Sequence, residues 1–229
     1  MRSPRSEIQG RYEARREAAP VAITSSVALI LLAVVSRREG WELVGFPWWI
    51  WLVLAVPGLL LSVDLWIGAR GVGFAGRRGP SLALLAVIVA GNLAGLGLLI
   101  AGLITTRSED LGGGQLLCTA AVIWLANVVA FGVWFWDVDD GGPFERANKE
   151  RATPDFQFPQ DENPQLARKP WRPRIWDYLY VSLTSATAFS PTDAMPLTIR
   201  AKLLMGIEAT VSLVIIVLVT ARAVNVLGS

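Results

Sequence analysis

The sequence predicts an all-α, polytopic membrane helix bundle with five transmembrane helices and one re-entrant half-helix. Three observations carry that expectation. Hydrophobic residues make up 53% of the 229 and charged residues only 17%, with the charges confined to a few short stretches. A composition of this kind, gathered into apolar runs, decides the class first. Five such runs are each long enough for a helix across the hydrocarbon core, which takes about 17–25 residues. Finally, residues 176–223 follow a fixed order: a short aromatic amphipathic helix, a Thr/Ser-rich apolar turn, an Asp and a Pro, then a membrane-length helix.

Residues 1–19 are polar, with Arg2, Arg5, Arg11, Arg15 and Arg16, and read as a solvated tail because they offer no apolar face to bury. Residues 20–136 read as a four-helix transmembrane region. Its runs are 20–36, the shortest; 47–68, opening on Trp48, Trp49 and Trp51; 81–105, rich in Gly and Ala; and 115–136, closing on Trp134 and Trp136. Trp gathers at such ends because its ring is apolar while its N–H needs the wet headgroup zone. None of the runs alternates with the period of a barrel strand.

Residues 137–175 form an extramembrane connector interrupted by Pro143, Pro154, Pro159, Pro164, Pro170 and Pro173. It reads as an extended segment lying over the membrane face, with Trp171 and Trp176 bracketing its return. Residues 176–229 hold the re-entrant helix, its loop and the last transmembrane helix, 197–219. No internal repeat is present, which argues against the inverted-repeat build of many secondary transporters.

Sidedness is argued from the short-loop cations. With the N-terminus inside, Arg70, Arg77 and Arg78 join the five tail arginines on the inner face, against Arg37, Arg38, Arg107 and Arg222 outside. Five spans then place the connector and the re-entrant segment on the cytoplasmic side. Pore loops of potassium channels enter from the outside, so the two arguments point in opposite directions.

Several function classes are excluded. The chain has no His and one cysteine, Cys118, so it offers no intramolecular disulfide, no Ser-His-Asp triad and no ordinary His/Cys metal site. A net charge of +2 does not suggest nucleic-acid binding. Gly112, Gly113 and Gly114 lack a Lys in P-loop register. The charged first twenty residues, and the lack of a small-residue cleavage site after the next run, do not read as a secretory signal. No enzyme activity and no cofactor are expected.

The order of parts from Trp176 onward resembles the pore module of the potassium-channel superfamily: a pore helix ending in Thr184 and Thr187, then Asp193 and Pro196, then an inner-type helix ending Ala-Arg. The whole chain, with its WFWDVDDGGP, PDFQFPQ and SLTSATAFSPTDAMPL segments, looks like a family of bacterial multi-pass membrane proteins without an established activity. The departure from the channel pattern is at the filter. A potassium filter reads TVGYG, and its glycines aim successive carbonyls at the ion. The corresponding turn here is Thr187, Ala188, Phe189, Ser190, Pro191, with no glycine and with φ fixed at Pro191. The resemblance implies an oligomeric membrane channel not selective for potassium, with four copies sharing an axis and monovalent cations passing between them. The alternative is a non-conducting membrane scaffold of the same shape; a small-solute carrier is disfavoured by the missing repeat.

The candidate pore or ligand residues are Thr184, Ser185, Thr187, Asp193 and Glu208. The competing reading has the hydroxyls bonding back to helix carbonyls, and Thr192 or Asp193 capping the next helix. Glu208 lies near the middle of the last span, where an ionisable group costs roughly 2.5 kcal/mol or more and faces a cavity, a partner or another helix. Ser212, four residues on, shares its face and is expected to bond it. Asp64 is placed at the interface as a solvated cap or ion pair. Asn92 and Asn127, inside the third and fourth runs, are expected to pair across helices, and Gly91 with Gly95 forms a small-xxx-small step.

Overall fold

The computed structural model describes residues 23, 26, 27, 29–31, 33–38, 40, 47–67, 113–142, 146, 154–166, 171–188 and 194–227. The tail 1–19, the third run with Gly91, Asn92 and Gly95, and the residues Phe189, Ser190, Pro191, Thr192 and Asp193 lie outside them, as does the side chain of Asp64.

The described residues are mostly helical. After helical positions between 23 and 38 come α1 (Trp49–Ile67), α2 (Gly113–Val138), the short α3 (Pro159–Glu162), α4 (Ile175–Ala188) and α5 (Ile199–Leu227). Two segments are helical, long and apolar enough to cross a membrane: Ala120–Gly141, largely in α2, and Ile199–Leu218, within α5. The all-α expectation misses one detail, a two-residue antiparallel ladder. It pairs β1 (Phe156–Gln157) with β2 (Met195–Pro196), Phe156 opposite Pro196 and Gln157 opposite Met195.

Helices α2, α4 and α5 pack against one another as a three-helix unit. The reason is visible in their spacing. On α4 the buried positions are Ile175, Tyr178, Val181, Ser182, Ser185 and Ala186; on α5 they are Ala201, Leu204, Met205, Glu208, Val211, Ser212 and Ile215. Both sets follow the three- and four-residue steps of a single helix face. The opposite face of α5 exposes Leu203, Ile207, Leu213 and Val217, so that helix is apolar on both sides.

Helix ends explain where the chain turns. Asp177, in the first turn of α4, reaches back to accept the Arg174 backbone N–H at 2.6 Å, half of a capping box. Burial raises the Asp177 carboxyl above its ordinary range, opposed by the Arg174 N–H and guanidinium. At the start of α5, Thr198 accepts the Ala201 N–H at 3.2 Å. The cap is thus Thr198, not Thr192 or Asp193, because the helix begins later than the Asp-Ala-Met-Pro stretch suggests.

Within the connector, Phe156 and Phe158 are buried in the core. Phe135, Phe156, Tyr178, Phe158 and Trp171 form a run of ring contacts, each neighbouring pair 5.1–6.1 Å between centroids. This aromatic run anchors a segment whose prolines suggest only an extended strand over the surface.

Close approach of α2 and α4 depends on Gly132. A Cβ there would lie 2.7 Å from Leu179 Cδ2 and 3.0 Å from its Cα. Gly132→Leu should therefore lower stability by about 1–3 kcal/mol through overpacking. Gly206, with open space where its Cβ would be, provides the contrast: Gly206→Ala should be neutral or stabilising by about 0.5–1 kcal/mol. Thermal unfolding in one detergent reads both, and equal melting temperatures for the two variants would contradict the packing.

Candidate functional site

At Val138 helix α2 ends and the chain reverses through Asp140 (φ 49°), Gly141 (φ 82°) and Gly142 (φ 97°). These angles suit glycine, and a Cβ on Gly142 would also sit 3.0 Å from the Asp137 carbonyl oxygen. The reversal drives Asp139 inward, to 0% exposure. Its Oδ1 accepts the backbone N–H groups of Asp155 at 2.6 Å and Phe156 at 3.1 Å, and its Oδ2 accepts the Tyr178 hydroxyl.

Asp155 continues the network. It is 2% exposed. Its Oδ1 accepts the Thr198 hydroxyl at 2.5 Å and its Oδ2 takes Arg200 Nη2 at 2.5 Å. The same Arg200 nitrogen donates to the Val138 carbonyl at 3.2 Å. Leu197 N–H donates to the Asp155 carbonyl at 2.8 Å. Arg146, buried, donates to the Asp139 carbonyl at 2.5 Å, and its guanidinium lies 5.2 Å from the centre of the Tyr178 ring. Two acids thus tie the end of α2, the connector, the start of α4 and the start of α5 into one polar hub. Charge-assisted bonds of this kind are among the stronger ones.

The hub also fixes direction. Because Tyr178 and Thr198 both reach it, α4 and α5 start at the same end of the unit, where α2 finishes. The chain runs out along α4 and is back at the hub by Leu197.

A second polar group lies inside the unit, roughly 10–20 Å along the helix axes from the hub at 1.5 Å rise per residue. Glu208 is 0% exposed. Its Oε1 faces the Ser182 hydroxyl, and Ser185, three positions on, lies buried on the same face of α4. Ser182 has one proton for two acceptors, Glu208 and the Val128 carbonyl at 2.7 Å. Asn127 Nδ2 donates to Ser212 Oγ at 3.1 Å. Ser182, Ser185, Asn127 and Ser212 are all buried. Asn127 Oδ1 and Glu208 Oε2 are buried without a partner.

Of the sequence candidates, the structure brings Ser185 and Glu208 together and separates the threonines from them. Thr184 donates to its own helix, with Val181 O at 2.9 Å and Tyr180 O at 3.0 Å; Thr187 does the same, with Leu183 O at 2.9 Å. Asp193 lies outside the described residues. Two pairings differ from expectation. Ser212 serves Asn127 rather than Glu208, because the α2 amide reaches it first, and Asn127 pairs with a serine rather than with a second amide. Sequence reasoning missed Ser182, Asp139, Asp155, Tyr178 and Arg200. The only signal for the two acids was their setting, one directly before the DGG reversal and one after Pro154. Among the described residues no group of three His, Cys, Asp or Glu side chains is placed to hold a metal.

Comparison of the chain with protein-family models, curated proteins and solved structures gives no match.

Asp139 sets a testable expectation. Asp139→Leu removes the acceptor of three hydrogen bonds from a buried position and should cost about 2–5 kcal/mol. Asp139→Asn keeps an oxygen for the two backbone N–H groups and should retain most of the stability. Chemical or thermal unfolding of both variants checks this, and a Leu variant as stable as the Asn variant would remove the hub from the account.

Proposed function

We propose that this chain is a multi-pass protein of the cell membrane, with five transmembrane helices and one re-entrant half-helix, and that its C-terminal unit is a non-conducting membrane scaffold with the shape of a pore-loop module. The enclosure of Glu208 carries the reading. Of the two acids that would line a conduction path, Asp193 lies outside the described residues, and Glu208 is buried among its own three helices with the Ser182 hydroxyl on its carboxyl. A pathway shared by several copies needs polar groups on the faces that meet at their axis. Thr184 and Thr187 instead donate their hydroxyl protons to their own helix carbonyls.

Re-entry is supported by length and by direction. The fourteen residues of α4 span about 21 Å, short of the roughly 30 Å hydrocarbon core, and the chain returns to the end from which it left. Non-helical backbone at that depth is tolerated only when protein or water surrounds it, and α4 itself packs against α2 and α5. The exposed apolar face of α5 supports contact with lipid.

One observation favours the second reading, an oligomeric channel not selective for potassium: Trp176, Tyr180, Leu183 and Thr187 form an exposed face of α4 that copies around an axis would bring together. Ion flux and native mass separate the two. Vesicles carrying the scaffold should pass K⁺ and Na⁺ no faster than protein-free vesicles. Flux above that level, lost in Thr187→Val at unchanged melting temperature, and a mass in nanodiscs of about four chains would replace the scaffold with the channel.

A further inference from the structure

The interior cluster offers more than helix packing needs. Asn127 Oδ1 and Glu208 Oε2 are acceptors without donors, on side chains 1% and 0% exposed. They belong to one connected group, since Asn127 bonds Ser212, Ser212 lies one turn from Glu208 on α5, and Ser182 links Glu208 to the Val128 carbonyl beside Asn127. A carboxylate in such an interior has to be neutralised. Besides Glu208, the charged residues on the three helices are Asp137 on α2, Asp177 on α4, and Arg200, Lys202 and Arg222 on α5. Asp137, Asp177, Arg200 and Lys202 lie toward the hub, where Arg200 is bonded to Asp155 and Lys202 is exposed, and Arg222 stands toward the other end of α5, about 21 Å beyond Glu208 at 1.5 Å rise per residue. The side chain that meets the Glu208 carboxyl is the Ser182 hydroxyl, on Oε1.

A proton on Glu208 neutralises it and serves one bond. A cation takes the carboxylate oxygen, the amide oxygen and the hydroxyl oxygens as ligands at once. We propose that Glu208, Asn127, Ser182, Ser185 and Ser212 bind one small monovalent cation, of the sodium type, inside the three-helix unit. The donors are all oxygen, which selects a hard cation. They include one carboxylate, so a single positive charge leaves the interior neutral, whereas a divalent ion would leave it positive. The group is drawn close, with Ser182 on Glu208 and Asn127 on Ser212 at hydrogen-bond range, which favours sodium or lithium over potassium. The site is internal to one chain and stands whether the unit conducts or not.

The test uses the full chain in nanodiscs, with sodium chloride varied against N-methyl-D-glucamine chloride at constant ionic strength. Sodium should raise the melting temperature by about 3–6 °C for each tenfold increase above half-saturation, and potassium should do so less. Glu208→Gln, which keeps the shape but not the charge, should lose the sodium response. Ser212→Ala should move half-saturation several-fold upward, and Asp139→Asn, in the hub, should leave it unchanged. Radioactive sodium retained by the wild-type protein at close to one ion per chain provides a reading that depends on no variant. A wild-type melting temperature indifferent to sodium, no retained sodium, or an undiminished response in a folded Glu208→Gln protein would each overturn the site and assign the neutralising role to a proton.

Discussion

The three-helix unit depends on one constraint: two buried carboxylates, Asp139 and Asp155, must find all their donors at the same end of the bundle. A buried charge is tolerated only when paired and hydrogen-bonded. Asp139 recruits backbone N–H groups from the connector and a hydroxyl from α4, while Asp155 recruits a hydroxyl and a guanidinium from α5. Each acid satisfies itself by drawing in a different stretch of chain. Arg200 is half exposed where Asp155 is buried, so the pair is anchored on its buried member, and its value lies in geometry more than in Coulomb energy.

Seen from the hub, the aromatic run has a clear purpose. Phe156 lies between the Phe135 and Tyr178 rings, and Phe158 meets Tyr178 edge-on at 5.4 Å. Ring contacts of this kind add about 0.5–1.5 kcal/mol each beyond the area they bury. They hold Tyr178 where its hydroxyl meets Asp139. The same residue therefore serves the apolar core with its ring and the polar hub with its oxygen, and it joins α4 to both.

Much of this was legible from the residues. The apolar runs at 47–68, 115–136 and 197–219 correspond to α1, α2 and α5, because a stretch that is apolar all round declares itself by composition alone. The half-length of α4 followed from the polar turn after Thr187. The interior acid was legible too, since Glu208 is out of place in a run of Val, Ile and Leu. What stayed hidden was pairing. Nothing local says that Asn127 meets Ser212, eighty-five positions away, or that a Pro-broken connector buries two phenylalanines. Ser182 was overlooked among four hydroxyl residues because helical phase alone decides which of them faces Glu208. Asp155 was unreadable for a similar reason: its partners, Thr198 and Arg200, lie more than forty positions ahead.

That separation gives the chain a timetable. Val138 and Arg200, joined in the hub, are sixty-two positions apart, and synthesis at about 5–20 residues per second puts roughly 3–12 s between them. During that interval α2 is complete, the connector has emerged, and Asp155 has carboxylate oxygens without their cation. Helix α4 can already pack on α2 through Leu179 against Gly132 and the Ser182 bond to Val128. The bonds that α5 supplies, Arg200 to Asp155 and Glu208 to Ser182, therefore form last, and the three-helix unit closes only when its final helix arrives.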